Sequence, residues 1–304
     1  MGPKHLILAA LIWVAATPFS WAEDRRIQGF SRILSNDILG DGKDRWRTGS
    51  YGLSMTYGRF EDRAPAEAFA LMEYRIRAEI LTPQNLALAD PTPADRPYAG
   101  VIGLGAFTHM TRGDINLSFG AELNFVGPST RLDDFQEWLH DGLGIQAPIA
   151  ARSQLGDRVY PTIQGEVSRT IPLRNGVLRP FAEAQAGLET YARVGVDWIL
   201  GDNYGRNFFL RDTVTGHLMT NVRAGEGVSW GFVLGGDLAW VAHSNLLPDE
   251  RGLDAKKARS RVRAGLAYEG EQSTFFYGLT YLGPEFEGQP EGQVTGSISL
   301  RLRF

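Results

Sequence analysis

The chain reads as all-β: a transmembrane, antiparallel, up-and-down β-barrel of about 12 strands, with one short helix in its third extracellular loop. Three observations predict this. Apolar and polar residues alternate with a period of two along segments of roughly 10–14 residues, the length a tilted strand needs to cross a bilayer. The polar face of those segments carries charges and Gly, whereas a soluble sandwich turns its apolar face inward. Residues 1–22 look like a signal peptide, which places the mature chain, residues 23–304, outside the cytoplasm as a single domain. Lys4 and His5 make its start basic, Leu6 to Ala16 is unbroken apolar, and Ser20-Trp21-Ala22 offers a small-residue cleavage site.

The segments follow in order. Strand one spans 27–37 and closes on Asn36-Asp37. Strand two, 46–58, keeps Tyr51, Leu53, Met55 and Tyr57 on its apolar side, which turns Thr48 and Ser50 inward at the outer mouth. In strand three, 69–82, Tyr74, Ile76, Ala78 and Ile80 alternate with Glu73, Arg75, Arg77 and Glu79. Strands four and five, 98–110 and 114–126, precede the long connection 127–159. There, Asp134 to His140 suits a short helix, with Gln136 and His140 on one face at i, i+4. Strands six to eight occupy 160–171, 177–187 and 191–201, and the break at 188–190 shows no Gly or Pro. Strands nine to eleven occupy 228–243, 259–270 and 273–282. The last, 291–304, alternates without exception and ends on Phe304, like the assembly signal of outer-membrane barrels.

An even strand count puts both termini in the periplasm, so the connections 38–45, 83–97, 127–159, 244–258 and 283–290 face outward. The connection 202–227 then falls on the periplasmic side, where it is too long for an ordinary turn. About 12 strands with inward Arg and Glu leave a largely filled lumen rather than an open channel.

Composition narrows the chemistry. A net charge of -4 with no clustered basic face excludes nucleic acid as a partner, and the absence of Cys excludes thiol nucleophiles, disulfides and Cys-ligated metals. A mean hydropathy of -0.20 without a run of ~18 apolar residues excludes membrane helices. Gly, at 36 residues, exceeds the usual ~7% and suits close-packed wall and turn positions. The chemistry-bearing residues gather at one end. Asn36-Asp37, the segment Asp44-Arg45-Trp46-Arg47-Thr48, Asp95-Arg96-Pro97, the Gln136/His140 pair and His243 all belong to the outer mouth.

Asn36-Asp37, Asp44-Arg45-Trp46-Arg47-Thr48, Asp95-Arg96-Pro97-Tyr98-Ala99-Gly100, Gln136 with His140, Tyr160-Pro161 leading to Gln164, and Glu285-Phe286-Glu287-Gly288-Gln289 resemble, in this order, the lipid A 3′-O-deacylase family. The resemblance spans most of the mature chain. It implies a barrel in the outer membrane of a Gram-negative bacterium and an active site at the level of the outer leaflet. The substrate it implies is the lipid A of lipopolysaccharide, from which a calcium-dependent hydrolase removes the 3′-linked acyloxyacyl chain. His140 then stands as the base, with Gln136, Asn36 and Thr48 as further site residues and Asp37 as a ligand of Ca2+, a cation that prefers oxygen. Arg45, Arg47 and Arg96 become candidate contacts for an anionic lipid. The chain departs from the family at residues 83–95, which contain no Lys or Arg, and at Arg47, where the family carries Tyr. Two other readings compete: an outer-membrane phospholipase using His243-Ser244-Asn245, and a barrel without enzymatic activity. Adjacent His and Ser point to opposite faces of a strand, which argues against the first.

Overall fold

The structure, a computed structural model, describes residues 25–89, 95–201, 204–248 and 252–302. The expected signal peptide and Phe304 lie outside the described residues.

The wall begins with β1 (Arg26–Asn36), β2 (Trp46–Gly58), β3 (Leu71–Thr82), β4 (Ala99–Arg112) and β5 (Ile115–Val126). It continues through β6 (Arg158–Arg169), β7 (Ile171–Leu173), β8 (Gly176–Ala186) and β9 (Glu189–Leu200). A small separate sheet, β10 (Phe208–Arg211) with β11 (Leu218–Val222), intervenes. The wall ends with β12 (Ser229–Ser244), β13 (Ala258–Glu269), β14 (Ser273–Leu282) and β15 (Gln293–Leu302). Neighbours in the sheet are antiparallel; β1 meets β15 and β6 meets β8, which closes the ring. β6 and β7 run one after the other along β8, so the described residues form a 12-stranded barrel. Both ends of each wall strand fall within two residues of the segment expected from alternation.

Alternation has its expected physical result. Leu104, Leu123, Trp198, Trp240 and Leu266 stand on the outside, open to lipid, while Glu73, Glu122, Asp197, Asp237 and Arg263 are buried. The inward charges satisfy one another. Arg263 binds Asp197 and Asp237, each at 2.5 Å, and Arg77 binds Glu79 at 2.7 Å and Glu122 at 2.8 Å. Buried charges persist only when paired in this way.

Two expectations need correction. The break between the seventh and eighth wall strands covers 187–188 rather than 188–190, so it does contain a Gly, and Gly187 takes a φ of 145° there. An added Cβ would sit 2.5 Å from the Pro161 carbonyl oxygen, so a Gly is required. The long connection 202–227 does not disturb the strand register. Its β10–β11 hairpin turns up into the barrel as a plug, packing Tyr204, Phe209, Leu210, Leu218 and Met219 against Ile33, Ile199, Val233 and Phe276 of the wall. Arg211 of the plug binds Asp197 at 2.9 Å and Glu166 at 2.6 Å. His217 lies close enough to the wall that a Cβ on Gly278 would come within 2.5 Å of its Cε1.

Candidate active site

The site is built on three outward connections. The first joins β1 to β2. Asp37 follows the end of β1, where it is wholly buried, and accepts the Arg45 backbone N–H at 2.8 Å. The ladder between β2 and β3 shifts register between Arg47 and Gly49, which lets Arg47 and Thr48 both point inward. Thr48 Oγ1 lies 2.9 Å from Asp37 Oδ1 and also hydrogen-bonds Asp44 Oδ1. The second connection contributes Tyr98, fully buried beside β4.

The third connection carries α1 (Leu132–Leu143), the short helix expected from the i, i+4 pair. Asp133 and Asp134 in its first turn complement the helix dipole, and Gly144 closes it in the left-handed conformation. Gln136 and His140 are its buried residues. Gln136 Nε2 reaches Asp44 Oδ1 at 3.4 Å. His140 Nδ1 lies 2.7 Å from the Gln146 carbonyl oxygen and Nε2 lies 3.0 Å from Asp44 Oδ2. A carbonyl only accepts, so Nδ1 carries the proton in that bond and Nε2 is the nitrogen turned toward the cluster.

Electrostatics leaves the cluster short of positive charge. One Thr48 proton is shared between two carboxylates. Burial pushes the Asp37 carboxyl up to about 8, and the nearby Asp44 and Asp41 charges push the same way against the Arg45 and Thr48 hydrogen bonds. Gln136 Oε1 is buried without a hydrogen-bond partner, and Asp44 Oδ2 has beside it only the His140 Nε2, which carries no proton to donate. Among the described residues no group of three or more His, Asp and Glu could hold a metal on its own. The oxygens of Asp37, Asp44, Thr48 and Gln136 nevertheless form a donor set of the hard type that suits calcium.

The remaining expected residues lie apart. Asn36 turns its Oδ1 back onto the Ile38 backbone N–H at 2.7 Å, an Asx turn beside Asp37. Arg45, Arg47 and Arg96 are engaged internally. Arg45 binds Glu291 at 2.7 Å and stacks on Trp46, Arg96 binds Glu285 at 2.6 Å, and Arg47 binds Glu79, Glu189 and Glu285. His243 does not join the site, because a register shift after Val241 leaves it exposed. Ser244 faces the other way and donates to Glu189 at 2.7 Å. The phospholipase pairing is therefore absent. Asp44, inside the Asp44-Arg45-Trp46-Arg47-Thr48 motif, is the site residue that sequence reasoning does not single out; its contact with Thr48 is local, but those with Gln136 and His140 are not.

The model of the family "Outer membrane protein LpxR" matches residues 6–304. LpxR from Salmonella typhimurium superposes with a TM-score of 0.77 at 17% identity, over 91% of this chain and 100% of that one. More distant barrels include the β domain of the Bordetella autotransporter BrkA (TM-score 0.41, 10% identity, 91% of this chain and 99% of that one). The NanC porin is further off still (TM-score 0.37, 6% identity, 92% and 100%). No curated protein matches in sequence. The chain belongs to the outer membrane protein LpxR family, the lipid A 3′-O-deacylase family that its motifs resemble.

Proposed function

We propose that this barrel hydrolyses the 3′-linked acyloxyacyl ester of lipid A, using water activated by His140 with the help of calcium. The observation that carries the reading is the orientation of His140, whose Nδ1 is tied to the Gln146 carbonyl while Nε2 faces the Asp44, Thr48 and Asp37 cluster.

In this reading Nε2 takes a proton from water and returns it to the leaving alkoxide. Asp44 stabilises the imidazolium formed between those steps. Gln136 Nε2 holds Asp44 in place, reaching its Oδ1 at 3.4 Å. Asp37, Asp44, Thr48 Oγ1 and Gln136 Oε1 are the residues that would hold calcium. When bound, that ion supplies the positive charge which the carboxylate cluster lacks and the oxyanion needs. No Ser or Cys nucleophile is required.

Mass spectrometry of lipid A tests this, in a Gram-negative host whose lipid A keeps its 3′ chains. Expression of the wild type should remove the mass of the 3′ acyloxyacyl group, and His140→Ala should leave it. Chelation should stop the reaction in purified outer membranes and added calcium should restore it. Identical lipid A from wild type and His140→Ala would sink the proposal.

A further inference from the structure

The helix that carries the Gln136/His140 stripe has a second surface that catalysis does not use. Phe135, Trp138, Leu139 and Leu143 lie along one flank of the stripe, and Ile145 extends it beyond the helix end. All five are exposed, Trp138 by 69%. The Phe135 and Trp138 rings stand 5.9 Å apart. Asp133, Glu137 and Asp141 occupy the other flank. The residues are thus sorted into an apolar side, a site-facing side and an acidic side.

The seat of the helix shows what the apolar side meets. Leu132, its first residue, rests on Gly100 of β4. A Cβ there would come within 3.1 Å of Leu132 Cβ and 2.5 Å of Thr130 Oγ1. Gly100 pairs with Ile80 of β3, and both belong to the outward-facing parity of their strands. Ile80 is nonetheless buried, whereas Ile76 and Leu104 on the same parity nearer the periplasm are half exposed to lipid. The helix is therefore seated on the lipid side of the rim rather than over the lumen, and its apolar flank continues the lipid-facing band of the barrel.

We propose that the Phe135, Trp138, Leu139, Leu143 and Ile145 surface lies in the outer leaflet and holds hydrocarbon chains of a membrane lipid alongside His140. Trp138 sits at the water–hydrocarbon boundary, where indole rings are favoured, and the acidic flank stays in water. The idea deepens the hydrolase reading by naming the surface that grips the acyl part of the substrate. It rests on that reading for its catalytic consequence, though not for membrane contact itself.

The chain has no Cys, so single cysteines introduced by Trp138→Cys, Leu143→Cys and Glu137→Cys each give one labelled position in the full-length protein. The labelled proteins are placed in vesicles of phosphatidylethanolamine and phosphatidylglycerol, some carrying a nitroxide on the acyl chain. Fluorophores at 138 and 143 should be quenched by the acyl nitroxide and protected from aqueous iodide, and the fluorophore at 137 should show the reverse. Equal iodide quenching at all three positions overturns the proposal, whether or not the protein is a hydrolase. In the catalytic arm, Trp138→Ser with Leu143→Ser should raise KM for membrane lipid A about tenfold at unchanged kcat, and Trp138→Leu should restore it. A fall in kcat alone would mean that these side chains only support the helix, and would overturn the chain-holding role.

Discussion

Asp44 stands where three strands of the site's chemistry meet: it touches the Thr48 hydroxyl, the Gln136 amide and the His140 imidazole. Replacing it by Asn keeps the shape and removes the charge that steadies the imidazolium. Asp44→Asn should lower kcat by about 100-fold with little change in KM, read from the rate of lipid A deacylation. Its loop position and partial exposure predict an unchanged unfolding midpoint, so a large fall in thermal stability would contradict the assigned role. At this scale the sequence was uneven. Gln136 and His140 were legible because helical spacing places them on one face. Asp44 was not singled out, because its contact with His140 joins two connections far apart in the chain. Arg45, Arg47 and Arg96 resembled seats for phosphate because a guanidinium suits an anion. Their carboxylate partners, Glu291, Glu285, Glu79 and Glu189, arrive from other loops and strands, and no local pattern announces them.

Among the elements, the wall strands were legible almost to the residue, since a bilayer outside and charges inside force a two-residue period. The plug was not. Its segments, β10 and β11, are short and mixed in character, and only the excess length of 202–227 signalled it. The plug has a consequence for pH. His217 is buried against Phe276 and Thr280, and that burial, with Arg263 adding to it, pulls the imidazole down to about 3. In an unfolded chain the same group takes up a proton near ~6.5. Plug stability is therefore complete above that pH and declines as pH falls toward 3, by about 1.4 kcal/mol per unit for this group alone. Proteolysis of the plug should accelerate across that window in the wild type and follow a flatter profile in His217→Gln. Matching slopes would rule out His217 as the cause.

The whole barrel depends on charge pairing across its interior as well as on lipid around it. Arg263 is completely buried between Asp197 and Asp237; Asp197 also binds Arg211, and Asp237 also binds Arg261 and Arg193. Arg263→Ala should cost about 3 kcal/mol, because it leaves two buried anions under-neutralised. Heat-dependent gel mobility should show the barrel unfolding at lower temperature, while lipid A processing at moderate temperature persists.

The join between β1 and β15 carries this further. Among the described residues only Leu34, Ser35 and Asn36 pair across it, with Ile298, Ser297 and Gly296. Below them, side chains make the connection, with Arg32 donating to the Leu300 carbonyl at 2.8 Å. β11 of the plug lies directly against β1, and the Gly29 position has no room for a Cβ because the Asn221 carbonyl oxygen would be 2.2 Å away. Three residue pairs are thus all that backbone pairing contributes, among the described residues, at the seam where the wall closes, and the plug strand pressed against β1 stands behind that seam as its buttress.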